Sequence, residues 1–257
     1  MCVVALAWHA HPRWKLVAIG NRDELHARPA APLARWQQHP HLLAGKDMQA
    51  GGTWLGVSDD PGTGGRFAVV TNVTGFGAPD PGLASRGALL QEFLAGQGWN
   101  SDLSDMNLGS FNPFSLFTVT GDDAWVHTNR PDAFRQKLAP GIHSLSNGTL
   151  DNPWPKTRPL NQALQSWMDE DSGDLSDLTA VLQDEQAPPP VPGFQPVANL
   201  PRNPADVPIF IRNPVYGTRC STIVAIDRAG QGRIVECSYH ENGEPAGETA
   251  LTFSWPA

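Results

Sequence analysis

The sequence has few cysteines, few tyrosines and no long run of basic or of apolar residues. Its 257 residues include 3 Cys and 2 Tyr, and 18 Lys and Arg stand against 26 Asp and Glu, for a formal net charge of −8. This excess of acidic residues argues against sequence-independent binding to nucleic acid or to an anionic membrane. Because no apolar stretch approaches the ~20 residues that span a bilayer, we expect a soluble protein without a membrane span.

The small number of cysteines also limits the chemistry. Cys2, Cys220 and Cys237 do not form the C-x-x-C spacing of a zinc or redox site, so we expect no bound metal. An odd, sparse cysteine count is typical of the reduced cytosol rather than of a disulfide framework, which favours a cytoplasmic location. No basic residue precedes the apolar segment that follows Met1, so the segment lacks the start of a secretory signal.

Glycine and proline, in contrast, are abundant. The chain has 25 Gly and 24 Pro, about a fifth of its residues, which predicts many turns. The densest proline tract opens an excursion over about residues 187–215. Although such a tract often links domains, the segment beyond it holds strands with no helix to cover them, and three strands need a partner layer. We therefore predict a single domain over residues 1–257.

Hydrophobic periodicity and turn residues predict strands at both ends of the chain and helices in between. The predicted strands cover residues 2–9, 14–20, 51–57, 66–73, 114–120, 124–128, 141–147, 218–227, 233–239 and 248–255. Ser85 is the expected cap of a helix that stops at Gly96, and Thr157 is the expected cap of a helix over residues 158–168. A third helix is predicted over residues 174–184.

Cys2 is the sharpest candidate for chemistry. Removal of Met1 would leave a thiol and a free α-amine on one residue, with ordinary pKa values near ~8.5 and ~8. Cys2 would then hold both a nucleophile and its general base, as in catalysis by an N-terminal nucleophile. The alternative is that Cys2 is a small hydrophobic residue at the head of a buried strand.

Four polar residues, Asn21-Arg22-Asp23-Glu24, follow the second predicted strand. Hairpin pairing would bring them near Cys2, so we expect them to line a cleft at the end of that strand and to contact substrate. Asp23 could reach the Cys2 amine, and Arg22 would offset the charge of the carboxylate. An ordinary charged turn is the alternative.

Two asparagines and an arginine complete the predicted site. Asn72 and Asn147 lie at strand ends, where a side-chain amide can donate to a developing oxyanion; each could equally be a turn residue. Arg219 interrupts a strand of small and apolar residues, which predicts a pair with a buried carboxylate or a contact with a substrate anion. Asp23 is its candidate partner.

Several of these pieces together resemble a known family. They are Met1-Cys2, Asn21-Arg22-Asp23-Glu24, Gly51-Gly52-Thr53-Trp54-Leu55-Gly56, Thr71-Asn72, Ser85-Arg86-Gly87, Leu145-Ser146-Asn147, Pro153-Trp154 with Lys156, and Tyr216-Gly217-Thr218-Arg219. In this order they resemble the NRDE family, which is also the transport and Golgi organisation protein 2 family and is named for the tetrapeptide. The resemblance covers nearly the whole chain.

The resemblance implies a four-layer αββα sandwich of antiparallel sheets, of the N-terminal-nucleophile hydrolase type. It implies hydrolysis of a small amide or thioester by Cys2 without a cofactor, as in the distantly similar bile-salt hydrolases and penicillin V acylases. Those acylases carry an arginine three residues before the aspartate, where this chain has Gly20. Because side chains alternate along a strand, we expect Arg22 to point away from the face that carries Asp23.

The same resemblance also implies an alternative, a carrier of haem or of an acyl-CoA or lipid that cleaves nothing. No C-x-x-C-H motif is present, so haem would be held without a covalent bond, with His9 and His11 as candidate ligands; solvated turn residues are the favoured interpretation of both. Trp8 and Trp54 are candidate walls of an apolar pocket, although core packing explains them equally well. A protein that only interacts with others is a third possibility.

Overall fold

The computed structural model describes residues 2–98, 100–104, 106–171, 173–196, 200 and 202–256. Met1, whose removal the predicted chemistry requires, lies outside the described residues. The strands are β1 (Cys2–Trp8), β2 (Trp14–Leu25), β3 (Ala30–Trp36), β4 (His39–Asp47), β5 (Leu55–Ser58), β6 (Arg66–Asn72), β7 (Phe114–Thr120), β8 (Asp123–Thr128), β9 (Phe134–Lys137), β10 (Gly141–Leu145), β11 (Tyr216–Asp227), β12 (Gln231–Tyr239) and β13 (Pro245–Ser254). The helices are α1 (Arg86–Ala95), α2 (Thr157–Glu170) and α3 (Leu175–Leu182).

These strands form two antiparallel sheets. One has six strands in the order β10-β1-β2-β11-β12-β13, and the other has seven in the order β3-β4-β5-β6-β7-β8-β9. The seven-stranded sheet therefore follows chain order, whereas the six-stranded sheet joins strands from both ends of the chain. The predicted α+β class with two antiparallel sheets is confirmed.

The two sheets pack face to face because alternate residues of each strand are apolar. Val4, Leu6 and Trp8 of β1 face this inner core, where they meet side chains such as Val69 and Phe117 of the other sheet. Cys2 stands at the end of the same row of β1 and packs against the same core. Cys2 therefore lies at the edge of the inner core.

Helices cover the outer faces of both sheets. Leu89, Leu90, Phe93 and Leu94 of α1 pack with residues of β4, β6 and β7 on the outside of the seven-stranded sheet. The six-stranded sheet turns Val3, Ala5 and Ala7 of β1 toward apolar residues of α2 and α3. The layers are thus helix, sheet, sheet, helix.

The helices are where their local signals predict them. The side chain of Ser85 accepts from the N–H of Ala88, and Gly96 ends α1 in the left-handed region with φ 65°. The third predicted helix is α3, capped by Asp174, which accepts from the N–H of Ser176. Thr157, predicted as a cap, is instead the first residue of α2, and its hydroxyl donates to the carbonyl of Trp154.

The strand prediction was wrong in two respects. β2 does not end before the polar tetrapeptide but runs through it to Leu25, because β1 and β11 pair with it on either side and satisfy its backbone. Three strands over residues 30–47 and 134–137 were also missed. Two of them, β3 and β4, are broken by register shifts that hide their alternation.

The proline-rich segment returns to the six-stranded sheet. Ile209 is buried in the core beneath α2 and α3, and Phe210 packs against Tyr239. The N–H of Phe210 donates to the carbonyl of Asp184 at 2.8 Å, directly after α3. The segment therefore covers the part of β2 that carries the polar tetrapeptide.

Candidate functional site

A cleft of about 1190 Å³ opens where the two sheets part at the Cys2 end of β1. The six-stranded sheet contributes Cys2, Arg22 and Glu236 to its lining, and Asp47 and Trp54 lie on the wall made by the other sheet and its turns. The first turn of α1 closes another side. The cleft is large enough for a ligand of metabolite size.

Arg22 lies between two thiols on the inner face of the six-stranded sheet. In the strand register Arg22 of β2 is opposite Cys2 of β1 on one side and opposite Cys220 of β11 on the other. Since neighbouring strands lie about 4.8 Å apart, the two cysteines are separated by roughly twice that distance, too far for a disulfide. Both cysteines are free thiols, and the charge of Arg22 acts on each of them.

Asn147 fixes the backbone of Cys2. The N–H of Cys2 donates to Oδ1 of Asn147 at 2.9 Å, and Nδ2 of Asn147 donates to the carbonyl of Asn72 at 2.7 Å. Asn147 is fully buried, so its amide joins β1 to the end of β6. It anchors Cys2 and is not among the residues that line the cleft.

The thiol of Cys2 has a raised pKa because burial disfavours the thiolate. A hydrogen bond from the backbone N–H of Asp23 and the charge of Arg22 act in the opposite direction, and the carboxylate of Asp23 adds to the rise. The resting thiol is therefore protonated at neutral pH. Chemistry through the Cys2 thiolate would therefore require a base to take the proton.

Arg22 has one paired and one unpaired end. Its Nη2 donates to Asp47 at 3.1 Å and lies 3.7 Å from Glu24. Its Nη1 is buried and has no hydrogen-bond partner among the described residues, and the residue is 9% exposed. The cleft therefore contains a desolvated cationic donor without an acceptor.

Asp23 faces the other side of β2, as the alternation of a strand requires. Its Oδ2 lies 3.2 Å from Nζ of Lys156, and its Oδ1 accepts from the hydroxyl of Thr218 at 2.7 Å. The side chains of Asp23 and Lys156 are both 0% exposed. The cation that pairs with Asp23 is thus Lys156, at the start of α2, and not the predicted Arg219.

Arg219 is the extra residue in a β-bulge of β11, between the pairs Thr218–Asp23 and Cys220–Arg22. The bulge turns its side chain toward the turn after β2, where Nη1 donates to the carbonyls of Leu25, His26 and Arg28. Its Nε is buried without a partner among the described residues. Arg219 therefore stabilises that turn and leaves one donor at the cleft.

The first turn of α1 approaches the cleft because two glycines let backbones touch. A Cβ placed on Gly52 would lie 2.2 Å from the carbonyl carbon of Gly87, and one placed on Gly87 would lie 3.2 Å from the carbonyl oxygen of Thr53. This contact holds Arg86 at the cleft. Burial lowers the pKa of Arg86, while the Cys2 thiolate would raise it, so the two side chains share one electrostatic environment.

Glu236 joins the two sheets at the inner end of the cleft. It is 4% exposed, and its Oε1 accepts from the N–H of Leu33 in β3 at 2.7 Å. Burial raises the pKa of this carboxyl despite that hydrogen bond. The neighbouring Cys220 has a pKa well above its ordinary value, first because of burial and then because of Glu236. Cys220 is therefore a poor nucleophile.

The cleft gathers most of the predicted residues. Those that line it are Cys2, Arg22, Glu24, Trp54, Asn72 and Arg219. Asp23 also borders the cleft, but its carboxylate is bonded to Lys156 and Thr218 on the opposite face of β2. Asn72 is exposed at the end of β6 and lines the cleft. Trp54 is 9% exposed and belongs to both the cleft wall and the inner core.

Two residues expected to contact substrate lie elsewhere. Asn21 is on the helix side of β2, 0% exposed, and its Nδ2 donates to the carbonyls of Leu182 and Ile209. Alternation along β2 puts it on the face opposite Arg22 and Glu24. Trp8 is at the far end of β1, 2% exposed within the inner core.

The candidate haem ligands are also at the far end of β1, about 20 Å from Cys2 at the usual rise per residue. Nδ1 of His9 lies 2.6 Å from Nη1 of Arg228, and burial and this cation lower the pKa of His9. Nε2 of His11 lies 3.4 Å from Asp171, and its Nδ1 accepts from the N–H of Arg13. Within the described part of the chain, no cluster of three or more His, Cys, Asp or Glu side chains is placed to hold a metal ion.

Sequence reasoning missed Arg28, Asp47 and Glu236 of the cleft, and it named Arg86 only within Ser85-Arg86-Gly87 without a role. Nε of Arg28 donates to Asp47 at 2.7 Å, and these two residues tie the tetrapeptide to the turn before Gly52. Burial alone would raise the pKa of Asp47, but hydrogen bonds from Ala50 and Arg28 and the charge of Arg22 lower it overall. No local signal in the sequence marks Arg28, Asp47 or Glu236.

The chain is similar over nearly its whole length to one protein family and to several of its animal members. The family model described as Transport and Golgi organisation 2 matches residues 1–241. The chain is 28% identical to the Transport and Golgi organization 2 homolog of Mus musculus over 97% of both chains. It is 29% identical to the homologs of Bos taurus and Homo sapiens over 93% of each chain. Among the described residues, no helix is long and apolar enough to cross a membrane.

Proposed function

The chain belongs to the Transport and Golgi organisation 2 family, and on that premise we propose that its cleft hydrolyses a small acyl amide or thioester through Cys2. One observation carries the proposal: Cys2 heads β1 inside the cleft, with its nitrogen held by Asn147 and its side chain next to Arg22. A free α-amine at this position keeps Oδ1 of Asn147 as its acceptor.

The proposed reaction begins after removal of Met1. The free α-amine of Cys2 takes the proton of the thiol, and Sγ attacks the carbonyl carbon of the substrate. A carbon–sulfur bond forms, and the bond to the leaving nitrogen or sulfur breaks as the Cys2 ammonium returns its proton to the leaving group. Water then cleaves the acyl-enzyme, which regenerates the thiol and releases the acid.

Asn72 is the candidate donor to the developing oxyanion. Its side chain is exposed at the cleft, whereas Nδ2 of Asn147 already donates to the carbonyl of Asn72. Asn147 instead holds the Cys2 nitrogen in place. The predicted role is therefore divided between the two residues, with stabilisation of charge assigned to Asn72 and positioning to Asn147.

Asp23 is the candidate partner of the Cys2 ammonium. Its carboxylate is buried and oriented by Lys156 and Thr218, and its charge acts on Cys2. A negative charge at this place stabilises the protonated amine that forms when the thiol is deprotonated. Two packed sheets with helices on both outer faces suit an N-terminal-nucleophile hydrolase in a single domain, which is the fold type we propose.

The first test is the mass of the intact purified protein together with Cys2→Ala. We expect a mass that lacks Met1, and loss of hydrolysis of a panel of acyl amides and acyl thioesters in Cys2→Ala without loss of the fold. Cys220→Ala is the matched control, since it removes the second thiol beside Arg22 and should retain the rate. Retention of Met1 in active protein would overturn the proposal.

The alternative to a hydrolase is a carrier that binds acyl compounds or haem without cleaving them. It would bind an acyl probe equally well in wild type and in Cys2→Ala, and neither protein would turn it over. Equilibrium binding measured beside turnover on the same two proteins separates the two functions.

A further inference from the structure

We propose that the cleft recognises a carboxylate held by Arg22 next to Cys2, so that the substrate is an acyl compound with a carboxylate close to the scissile bond, such as an N-acyl amino acid. The substrate class rests on the proposed function, whereas the anion site itself does not. Two guanidinium donors in the cleft lack acceptors among the described residues.

Nη1 of Arg22 and Nε of Arg219 are both buried, and neither has a hydrogen-bond partner among the described residues. Both side chains line the same cleft and come from neighbouring strands. A buried donor to which no acceptor is supplied costs folding free energy, more so when it is cationic. Such donors are retained where a ligand supplies the acceptor, and guanidinium geometry matches a carboxylate or a phosphate.

The surroundings favour a carboxylate over a phosphate. Acidic side chains are as prominent as basic ones along the cleft, and Asp47 and Glu24 lie at the other end of the Arg22 guanidinium. A dianionic phosphate would meet stronger repulsion from these carboxylates than a monoanion does. Arg86 and the first turn of α1 add positive potential on the opposite wall.

The register sets the distance between the carboxylate and the reacting atoms. Cys2 and Arg22 are directly opposite each other in adjacent strands, and side chains in such a pair start about 5 Å apart. A carboxylate on Arg22 would therefore be only a few bonds away from a carbonyl carbon that Sγ of Cys2 attacks. In an N-acyl amino acid three bonds separate these two groups.

The test compares two alkylating reagents of the same size, iodoacetate and iodoacetamide. Because the same thiolate attacks both reagents and displaces iodide from each, the ratio of their rates at Cys2 is independent of the thiol's pKa. We expect this ratio to be at least tenfold higher at Cys2 than in glutathione, and to fall at least tenfold in Arg22→Gln, which corresponds to about 1.4 kcal/mol. Mass spectrometry of peptides assigns the modified cysteine.

Arg28→Gln is the matched control, because Arg28 also lines the cleft and also pairs with Asp47. It removes the same charge but no unpaired donor, so the ratio should stay within about twofold of wild type. An equal fall in both variants would show a general electrostatic field and would overturn the site. If Arg22→Gln does not fold, acetate and acetamide are compared as inhibitors of iodoacetamide alkylation in wild type, and equal inhibition also overturns the proposal.

A second pair of compounds tests the substrate class. N-octanoylglycine should be hydrolysed at least tenfold faster, as kcat/KM, than N-octanoylglycinamide, and Arg22→Gln should remove the difference. If neither compound is hydrolysed but the alkylation ratio holds, the anion site stands and the hydrolase proposal fails. If both are hydrolysed at equal rates and the ratio is that of glutathione, the hydrolase stands and the anion site fails.

Discussion

The two faces of β2 differ in how completely the polar side chains of residues 21–24 are hydrogen-bonded. On the helix side, Asn21 uses both donors and its acceptor, with Ser221 donating to Oδ1, and Asp23 accepts from Thr218 beside Lys156. On the cleft side, Arg22 keeps a buried donor without an acceptor among the described residues. One strand thus carries a face that stabilises the fold and a face that is free to meet a ligand.

The period of a strand explains this division. Residues 21 and 23 share one side and residues 22 and 24 the other, so a run of four polar residues supplies two pairs with different surroundings. Removing a fully bonded buried group leaves its partners unsatisfied, while removing a cleft residue leaves its partners near solvent. The two faces should therefore differ in what they contribute to stability.

The largest effect is expected from Lys156→Met. This change removes the cation that pairs with the buried carboxylate of Asp23, and breaking a buried pair costs roughly 3–5 kcal/mol. We expect that loss in the free energy of unfolding, measured by urea denaturation. The fold should persist if the wild-type stability exceeds the loss.

The control for this prediction is the double variant Asp23→Asn with Lys156→Met, which removes both charges. It should recover at least about 1 kcal/mol relative to Lys156→Met alone. Two independent, additive losses would contradict a coupled pair and would remove the strongest support for a structural helix-side face.

A smaller effect is expected from Asn21→Ala. It leaves the carbonyls of Leu182 and Ile209 and the hydroxyl of Ser221 without their partner, which costs about 1–3 kcal/mol. Glu24→Ala, on the cleft face and partly exposed, should cost about 0.5 kcal/mol or less. Urea denaturation of both variants compares the two faces directly, and equal losses would show that they do not differ.

The smallest effect concerns pH and Glu236, which joins the sheets at the cleft. Since its pKa is raised in the folded protein, its contribution is complete below the unfolded value of about 4.3 and is lost as pH rises through the folded value. Glu236→Gln does not titrate and keeps an oxygen for Leu33. The variant should gain stability relative to wild type as pH rises above the unfolded value, measured by urea denaturation, whereas a difference that does not change with pH would contradict the raised pKa.

Local signals in the sequence were enough for the helices and for much of the sheet. Ser85 and Gly96 mark α1 because capping depends on residues next to the helix. The nearness of the tetrapeptide to Cys2 follows from a short hairpin, and so does the opposite orientation of Arg22 and Asp23. These features depend on residues that are neighbours in the chain or across one turn.

The rest of the site depends on contacts between distant segments. Lys156 is 133 positions from Asp23, and Asp47 reaches Arg22 from a strand whose alternation is broken by register shifts. The wrong partner was predicted for Asp23 because Arg219 stands in the matching strand, and the bulge that redirects Arg219 leaves no trace in the sequence. Asn21 was misplaced because β2 was expected to end before it.

The contact between Gly52 and Gly87 has a consequence for the width of the cleft. With 2.2 Å between a Cβ at Gly52 and the backbone of Gly87, a single methyl group would push the first turn of α1 and Arg86 outward. The gap between α1 and Cys2 therefore depends on Gly52 and Gly87, each of which carries a hydrogen atom where every other amino acid has a Cβ. The size of ligand that the cleft accepts can change without any change in the residues that touch it.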